Sequence, residues 1–232
     1  MQASDSTPKF SAAPVVETVI GVQFDRLKAF RSHHYGLFWK AHLEPLGWQP
    51  HADETPLPTY REKFGEAQLL RNGPPMPPAL NVRMKLKNSD DSQTLQIQHD
   101  KLYFGWKRGE ETMPSYRDIR PTFDVLYSSL EAFADEHRLG APTPNLWEIT
   151  YINRVLPGRL WTQPKDWHRV LPRLFPEPTA DIEGLGLATY DGTWYYEIEP
   201  KRGRLTLRVA KMLVNRSPDP VLCIVLTARG EL

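Results

Sequence analysis

The chain is short of most residues and patterns that announce a chemistry. Its 232 residues include one cysteine, Cys223, so no disulfide can form within it, which suits a reducing compartment. The apolar run around that cysteine, Val221 to Leu226, reads as a buried strand with the thiol as a small core side chain. No apolar stretch approaches the roughly 20 residues of a spanning helix. The first residues, Met1 to Thr7, lack the basic and apolar regions of a secretory signal. A cytoplasmic protein with no membrane association is therefore expected. Net charge is +1, too small to steer the whole molecule toward nucleic acid or an anionic surface.

Chemical motifs are equally scarce. The seven histidines form no HExxH pattern and have no second cysteine to work with. His34, His42 and His51 are spaced too loosely to share a helix face and read as surface or loop residues. No metal and no cofactor is expected, since a catalytic metal needs three converging ligands. There is no GxSxG elbow. Gly184-Leu185-Gly186 is a glycine pair without the third glycine or the helix of a phosphate-binding turn. Glu197 and Glu199 share one face of an expected strand, and a solvated sheet face explains them as simply as an acid–base pair does.

What the chain has is hydrophobic residues at 40%, charged residues at 25% and 22 prolines. These are globular proportions, with prolines cutting the sequence into short elements. After a frayed segment over 1–13, strict alternation predicts a strand from Val15 to Phe24. A short helix is expected within Tyr35–Leu46, ended by Pro45 and Gly47. Thr59–Phe64 reads as an edge strand. Leu80–Lys87, Leu95–Gln98 and the strand carrying Leu102, Phe104 and Trp106 form an antiparallel meander.

The clearest helix runs from about Tyr116 to Leu139. Ser115 and Asp118 make its capping box, Ile119, Phe123, Leu126, Leu130 and Phe133 its apolar stripe, and Gly140 its stop. The order then restarts. A strand is expected over Leu146–Leu156 with Trp147, Ile149 and Tyr151 on one face, then a short helix over Lys165–Leu174. Strands follow at Leu185–Tyr190, Thr193–Glu199, Arg204–Val214 and Val221–Ala228, with turns at Asp191-Gly192 and at Lys201 to Gly203.

The fold class predicted is α+β: an antiparallel sheet with helices on one side, and an internal duplication of a β-α-β-β-β-α unit whose final helix is missing. The domain spans 14–232 in two similar halves, 14–141 and 142–232. Glu17 and Glu148 stand at matching places in the leading strands, and the seam between the halves is the natural place for a groove.

Two surface readings follow. Arg83, Lys85 and Lys87 share one strand face, and Arg204 and Arg208 another. With nearby aromatics, basic strand faces are how sheet-type readers hold single-stranded nucleic acid. The plainer explanation is an exposed face guarded against aggregation. Among seven tryptophans, Trp161 and Trp167 flank a proline-containing loop. They read either as exposed anchors for a protein partner or as staples holding the short helix to the sheet.

Several segments occur in a distinctive order: Pro14 to Glu17, Leu102 to Trp106, Pro114-Ser115-Tyr116 through Phe123, Asn145 to Asn153 with Glu148-Ile149-Thr150-Tyr151-Ile152-Asn153 at its centre, and Leu226 to Gly230. In these the chain resembles a sporadically distributed family of bacterial proteins of unknown function, from Pro14 to Gly230. The resemblance implies no activity. It implies a helical segment after the last strand, which this sequence, ending at Leu232, lacks. It also implies optional genes of the kind found in toxin–antitoxin or phage-defence cassettes. Glu17, Arg120, Glu148 and Asn153 lie in the resembling segments and are the residues expected to line a ligand pocket. The functions expected are a non-enzymatic module with a protein partner, a small-ligand binder or enzyme with its site between the halves, or a single-stranded nucleic-acid binder.

Overall fold

The computed structural model describes residues 13–60, 82–109, 114–175, 186–198, 202–213 and 219–231. Nine strands form one antiparallel sheet. In chain order they are β1 (Val15–Phe24), β2 (Gln49–Glu54), β3 (Arg83–Lys87), β4 (Gln93–Gln98), β5 (Lys101–Lys107), β6 (Pro144–Val155), β7 (Asp191–Glu197), β8 (Gly203–Leu213) and β9 (Pro220–Glu231). Their spatial order is β2-β3-β4-β5-β1-β6-β9-β8-β7. The fold is α+β, as predicted, and the two halves share a single sheet.

β1 and β6 lie side by side at its centre, antiparallel, with Ile20 opposite Ile149. Each is followed by a helical segment and later by a strand that returns to pair with it, β5 for β1 and β9 for β6. The correspondence extends to charge. Glu17 stands opposite Lys107 on β5, and Glu148 stands opposite Arg229 on β9. Opposite charges facing each other across strands stabilise the pairing.

Side-chain parity divides the sheet into two faces. One carries Ile20, Val22, Phe24, Leu95, Ile97, Leu102 and Phe104, all buried. Two helices cover this part. α1 spans Ser32–Phe38, widens into a π turn over Trp39–Leu43 and tightens into a 3-10 turn over Glu44–Leu46. Pro45 and Gly47 (φ 87°) end it there, because only the 3-10 turn tolerates the proline and glycine takes the left-handed cap. α2 spans Tyr116–Glu136 and starts as predicted: the Ser115 backbone N–H and hydroxyl both donate to the Asp118 carboxylate at 2.8 and 2.6 Å.

Phe133 is the hub of this core. Its ring lies 5.0 Å from Phe38 and 4.3 Å from His137, with His42 at 5.7 Å and His34 at 6.2 Å. The histidines read as loop residues are therefore partly core residues. His34 is buried, and burial together with neighbouring His33 and His137 lowers its pKa. A second, smaller cluster forms over β8 and β9, where Trp161, Trp167 and Phe175 pack on Leu207, Val209 and Leu222. Trp161 is 1% exposed and Trp167 0%, which settles their role as staples and removes them as surface anchors.

Other expectations shift in detail. The second short helix is one 3-10 segment, Pro164–Arg169. Asp191 and Gly192 open β7 instead of forming a turn. A side chain at 192 would meet the Trp194 ring at 2.6 Å, so the glycine serves that close contact. Residues 186–190 are not strand, and β2 was missed because proline and histidine interrupt its pattern. Residues 61–64, 80–81, 184–185 and 199–201 lie outside the described residues.

Phe133→Ala removes the ring that joins α1 to α2 and is expected to lower stability by about 3–5 kcal/mol. Ser115→Ala should cost about 1 kcal/mol. Urea unfolding followed by circular dichroism would measure both. Equal, small losses would show that the core is not organised around Phe133.

Candidate functional site

The face of the sheet away from the helices carries an unusual amount of buried polarity. Gln23, Thr94, Gln98, Asp100 and Lys101 are all buried there. The reason is an extended segment, Thr55–Tyr60, that crosses this face. Pro56 and Pro58 supply no backbone donors, which leaves Leu57 and Tyr60 with N–H groups to satisfy. Two glutamine side chains do so. The Gln98 amide accepts from Leu57 N–H at 2.9 Å and donates to Leu57 C=O at 3.0 Å. The Gln23 amide does the same to Tyr60, at 2.8 and 3.0 Å. Each side-chain amide thus stands in for the peptide of a neighbouring strand. The strand expected at Thr59–Phe64 begins, in its described residues, as this clamped segment.

Under the segment lie two ion pairs. Lys101, fully buried, donates to Asp100 at 2.9 Å, and Asp100 also accepts from Gln98 at 2.6 Å and from Thr59 at 3.0 Å. Burial alone would raise the Asp100 carboxyl. The hydrogen bonds from Gln98 and Lys101, with the Lys101 charge, outweigh it and hold the carboxyl below its ordinary value. Burial lowers the Lys101 ammonium, and pairing with Asp100 opposes that shift. The second pair is Glu148 with Arg229, whose guanidinium lies 4.0 Å from the centre of the Tyr60 ring. Tyr103 lies flat beside them because Gly21 leaves room: a methyl group at 21 would sit 2.1 Å from its ring. Burial, reinforced by Glu148, raises the Tyr103 phenol and keeps it neutral. This network holds the segment in place through its internal partners.

The side chains of the four expected pocket residues do not all converge, although Arg120 and Glu148 line one groove. Parity puts Glu17 and Glu148 on the segment-covered face, with Glu148 held by Arg229. Arg120 lies on α2, across the sheet, where its guanidinium packs 5.4 Å from the Trp147 ring and bonds Asp124 and Tyr116. Asn153 donates to the Ile224 carbonyl, a backbone-bridging role. The basic rows share the segment-covered face but are largely neutralised. Arg83 and Lys85 pair with Glu54, Lys87 with Asp91, and Arg204 faces Glu197 in register. Cys223 is buried, and burial raises its thiol. No group of three metal-ligating side chains occurs among the described residues. Among those residues, too, no helix is long and apolar enough to cross a membrane.

An opening lies on the helix-covered face, at the seam between the halves. It is a groove of about 950 Å³. Ile149 and Tyr151 of β6 and Ala228 and Gly230 of β9 form its floor. Tyr116 and Arg120 of α2 make one wall, and Ile198 with Gly203 the other. Two features create it. Ala228 and Gly230 have almost no side chain, so the floor is low. Among the described residues the covering layers also stop short, α2 on one side and the Trp161/Trp167 cluster on the other.

A contrast between the central strands shows what is uncovered. On β1, beneath α2, Thr18, Ile20 and Val22 are 1%, 2% and 0% exposed. On β6 the corresponding Ile149 and Tyr151 are only half-buried. Sequence reasoning placed a groove at the seam with four lining residues, of which Arg120 and Glu148 do line it, Glu148 with its carboxylate turned to Arg229, and Glu17 and Asn153 do not. Its true floor was visible in the apolar alternation of β6 and the small residues of β9. Comparison with family models, curated proteins and solved structures finds no match to this chain.

The buried pair gives a test of the network. Asp100→Asn leaves the Lys101 ammonium without its countercharge and is expected to cost about 3–5 kcal/mol, most of it recovered when Lys101→Met is added. The wild-type Asp100 contribution is full above the ordinary aspartate pKa of about 3.9 and fades as pH falls through the lower folded value. The acid-side loss of stability should therefore be shallower in the double variant. Unfolding curves from pH 2 to 7 would reveal it. A double variant no more stable than Asp100→Asn would mean that the ammonium is not what the carboxylate compensates.

Proposed function

We propose that the protein is a non-enzymatic binding module that receives an amphipathic helix of a protein partner in the seam groove. The observation that carries this is the parallel arrangement of elements about β1 and about β6. α2 follows β5, the strand paired with β1, and covers β1. The groove lies over β6 and β9, the same position in the second half, with an apolar floor left half-buried. A surface built like the seat of α2 has the shape and chemistry for a second helix.

Helix-in-groove recognition uses apolar anchors at i, i+3/i+4 and i+7 set into such a floor, with a polar rim. Here Ile149, Tyr151 and Ile198 offer the apolar contacts, and Arg120, Arg202 and Glu231 lie at the groove's edge. Binding by an adaptor in an optional gene cassette, the setting implied by the family resemblance, belongs to the same proposal. So does the idea that the halves arose by duplication.

The test is photo-crosslinking. A benzoylphenylalanine at Ile198, 46% exposed on the groove wall, should capture a stoichiometric protein from the native cell extract. The same group at Leu156, exposed elsewhere, should not. Ala228→Trp fills the floor and is expected to reduce capture at least tenfold, as loss of a central anchor site does. Capture that survives Ala228→Trp would sink the helix-groove reading. A protein that instead carries a bound small molecule, lost on filling the groove, would replace the helix with a ligand.

A further inference from the structure

On the opposite face, over β6, β9 and β8, lies a second concavity of about 450 Å³. Its floor is apolar: Ile152 of β6, Val221, Cys223 and Val225 of β9, and Ala210 of β8. Met212 and Leu213 stand at its edge, 49% and 71% exposed. Two cations also line it. Arg154 faces Cys223 across the β6–β9 pairing, and Arg208 faces Val225 across β8–β9, so the two guanidinium stems flank β9 from either side.

Elsewhere on this face basic side chains are matched by acids: Arg83 and Lys85 by Glu54, Lys101 by Asp100, Arg229 by Glu148. Arg154 and Arg208 make no ion pair among the described residues. Both line the concavity, and both lower the Cys223 thiol against the larger effect of burial.

We infer that this concavity binds an aliphatic carboxylate, a free fatty acid, with its chain along the floor and its head between Arg154 and Arg208. The volume falls within the usual range of small-molecule pockets, which are mostly apolar with a few placed polar groups. Guanidinium groups hold carboxylates through paired N–H donors and are weakly hydrated, which suits an apolar rim. A straight chain fits a floor made of alternate residues on three adjacent strands, since these form a continuous apolar strip. A cationic amphiphile is excluded by charge, and a short carboxylate would leave the strip uncovered.

Titration of the full chain with dodecanoate below its micelle concentration, followed by calorimetry, tests this. One dodecanoate should bind per chain, with acetate and dodecyltrimethylammonium at least tenfold weaker. The Arg154→Gln/Arg208→Gln variant should lose at least tenfold in dodecanoate affinity with its melting temperature preserved. Ala228→Trp, on the other face, should leave binding unchanged. Because Cys223 is the chain's one cysteine, its reaction with methyl methanethiosulfonate locates the ligand: bound dodecanoate should slow it several-fold. Equal affinity for the three probes, full affinity in the arginine variant, or an unprotected Cys223 would each overturn the assignment.

Discussion

The antiparallel pairing of β1 with β6 is the contact on which the architecture rests. It runs from Val15 opposite Asn153 to Phe24 opposite Pro144 and is the seam where the two halves meet. Because it fuses them into one sheet, each face is continuous across both. The helix-side cover is not continuous. One apolar cluster is centred on Phe133 and another on Trp167, and nothing in the sheet requires them to meet. Among the described residues, α1, α2 and one 3-10 segment leave part of the nine-stranded sheet uncovered. The gap falls over β6 and β9, where Ala228 and Gly230 leave it deep. The seam that joins the halves thereby also leaves the groove between them.

The other face solves a different problem. A sheet face without helices ordinarily stays wet and polar. Here Thr55–Tyr60 is laid over it, and covering polar side chains with polypeptide requires that every one be satisfied. The glutamine clamps at Leu57 and Tyr60 and the Asp100–Lys101 and Glu148–Arg229 pairs meet most of that requirement in one connected set, while the buried Arg83 Nε on the same face has no hydrogen-bond partner among the described residues. Such a set contributes little net stability compared with an apolar interior. What it confers is registry: the segment fits only where both amides find their peptide groups.

Much of this was legible in the sequence where a period of two or 3.6 was unbroken. β1 begins and ends where its alternation does, and α2 begins at its capping box. β2 escaped because Pro50 and His51 disguise it, which an edge strand tolerates since one side needs no partner. The candidate site was half legible. The alternation that sets Trp147, Ile149 and Tyr151 on one face necessarily sends Glu148 to the other, and α2 must pack on the apolar face. Arg120 and Glu148 were therefore separable by parity alone, although their common membership in resembling segments argued for one pocket. The clamps were not legible. Gln98 and Leu57 are 41 residues apart, Gln23 and Tyr60 37, and no local pattern marks an amide that will pair with distant backbone.

The seam groove and the concavity beside Arg154 and Arg208 differ in shape and charge, and the difference follows from the sheet. On the helix side the seam groove is wide and floored by Ile149, Tyr151 and two small residues. It leaves room for bulk, with charge at its edge. On the other side the concavity between Arg154 and Arg208 is half the volume, about 450 against 950 Å³, and adds a fixed positive charge to an apolar strip. β9 contributes to both, with Ala228 and Gly230 facing one and Cys223 and Val225 the other. Alternation on a single strand therefore gives each face its own specificity.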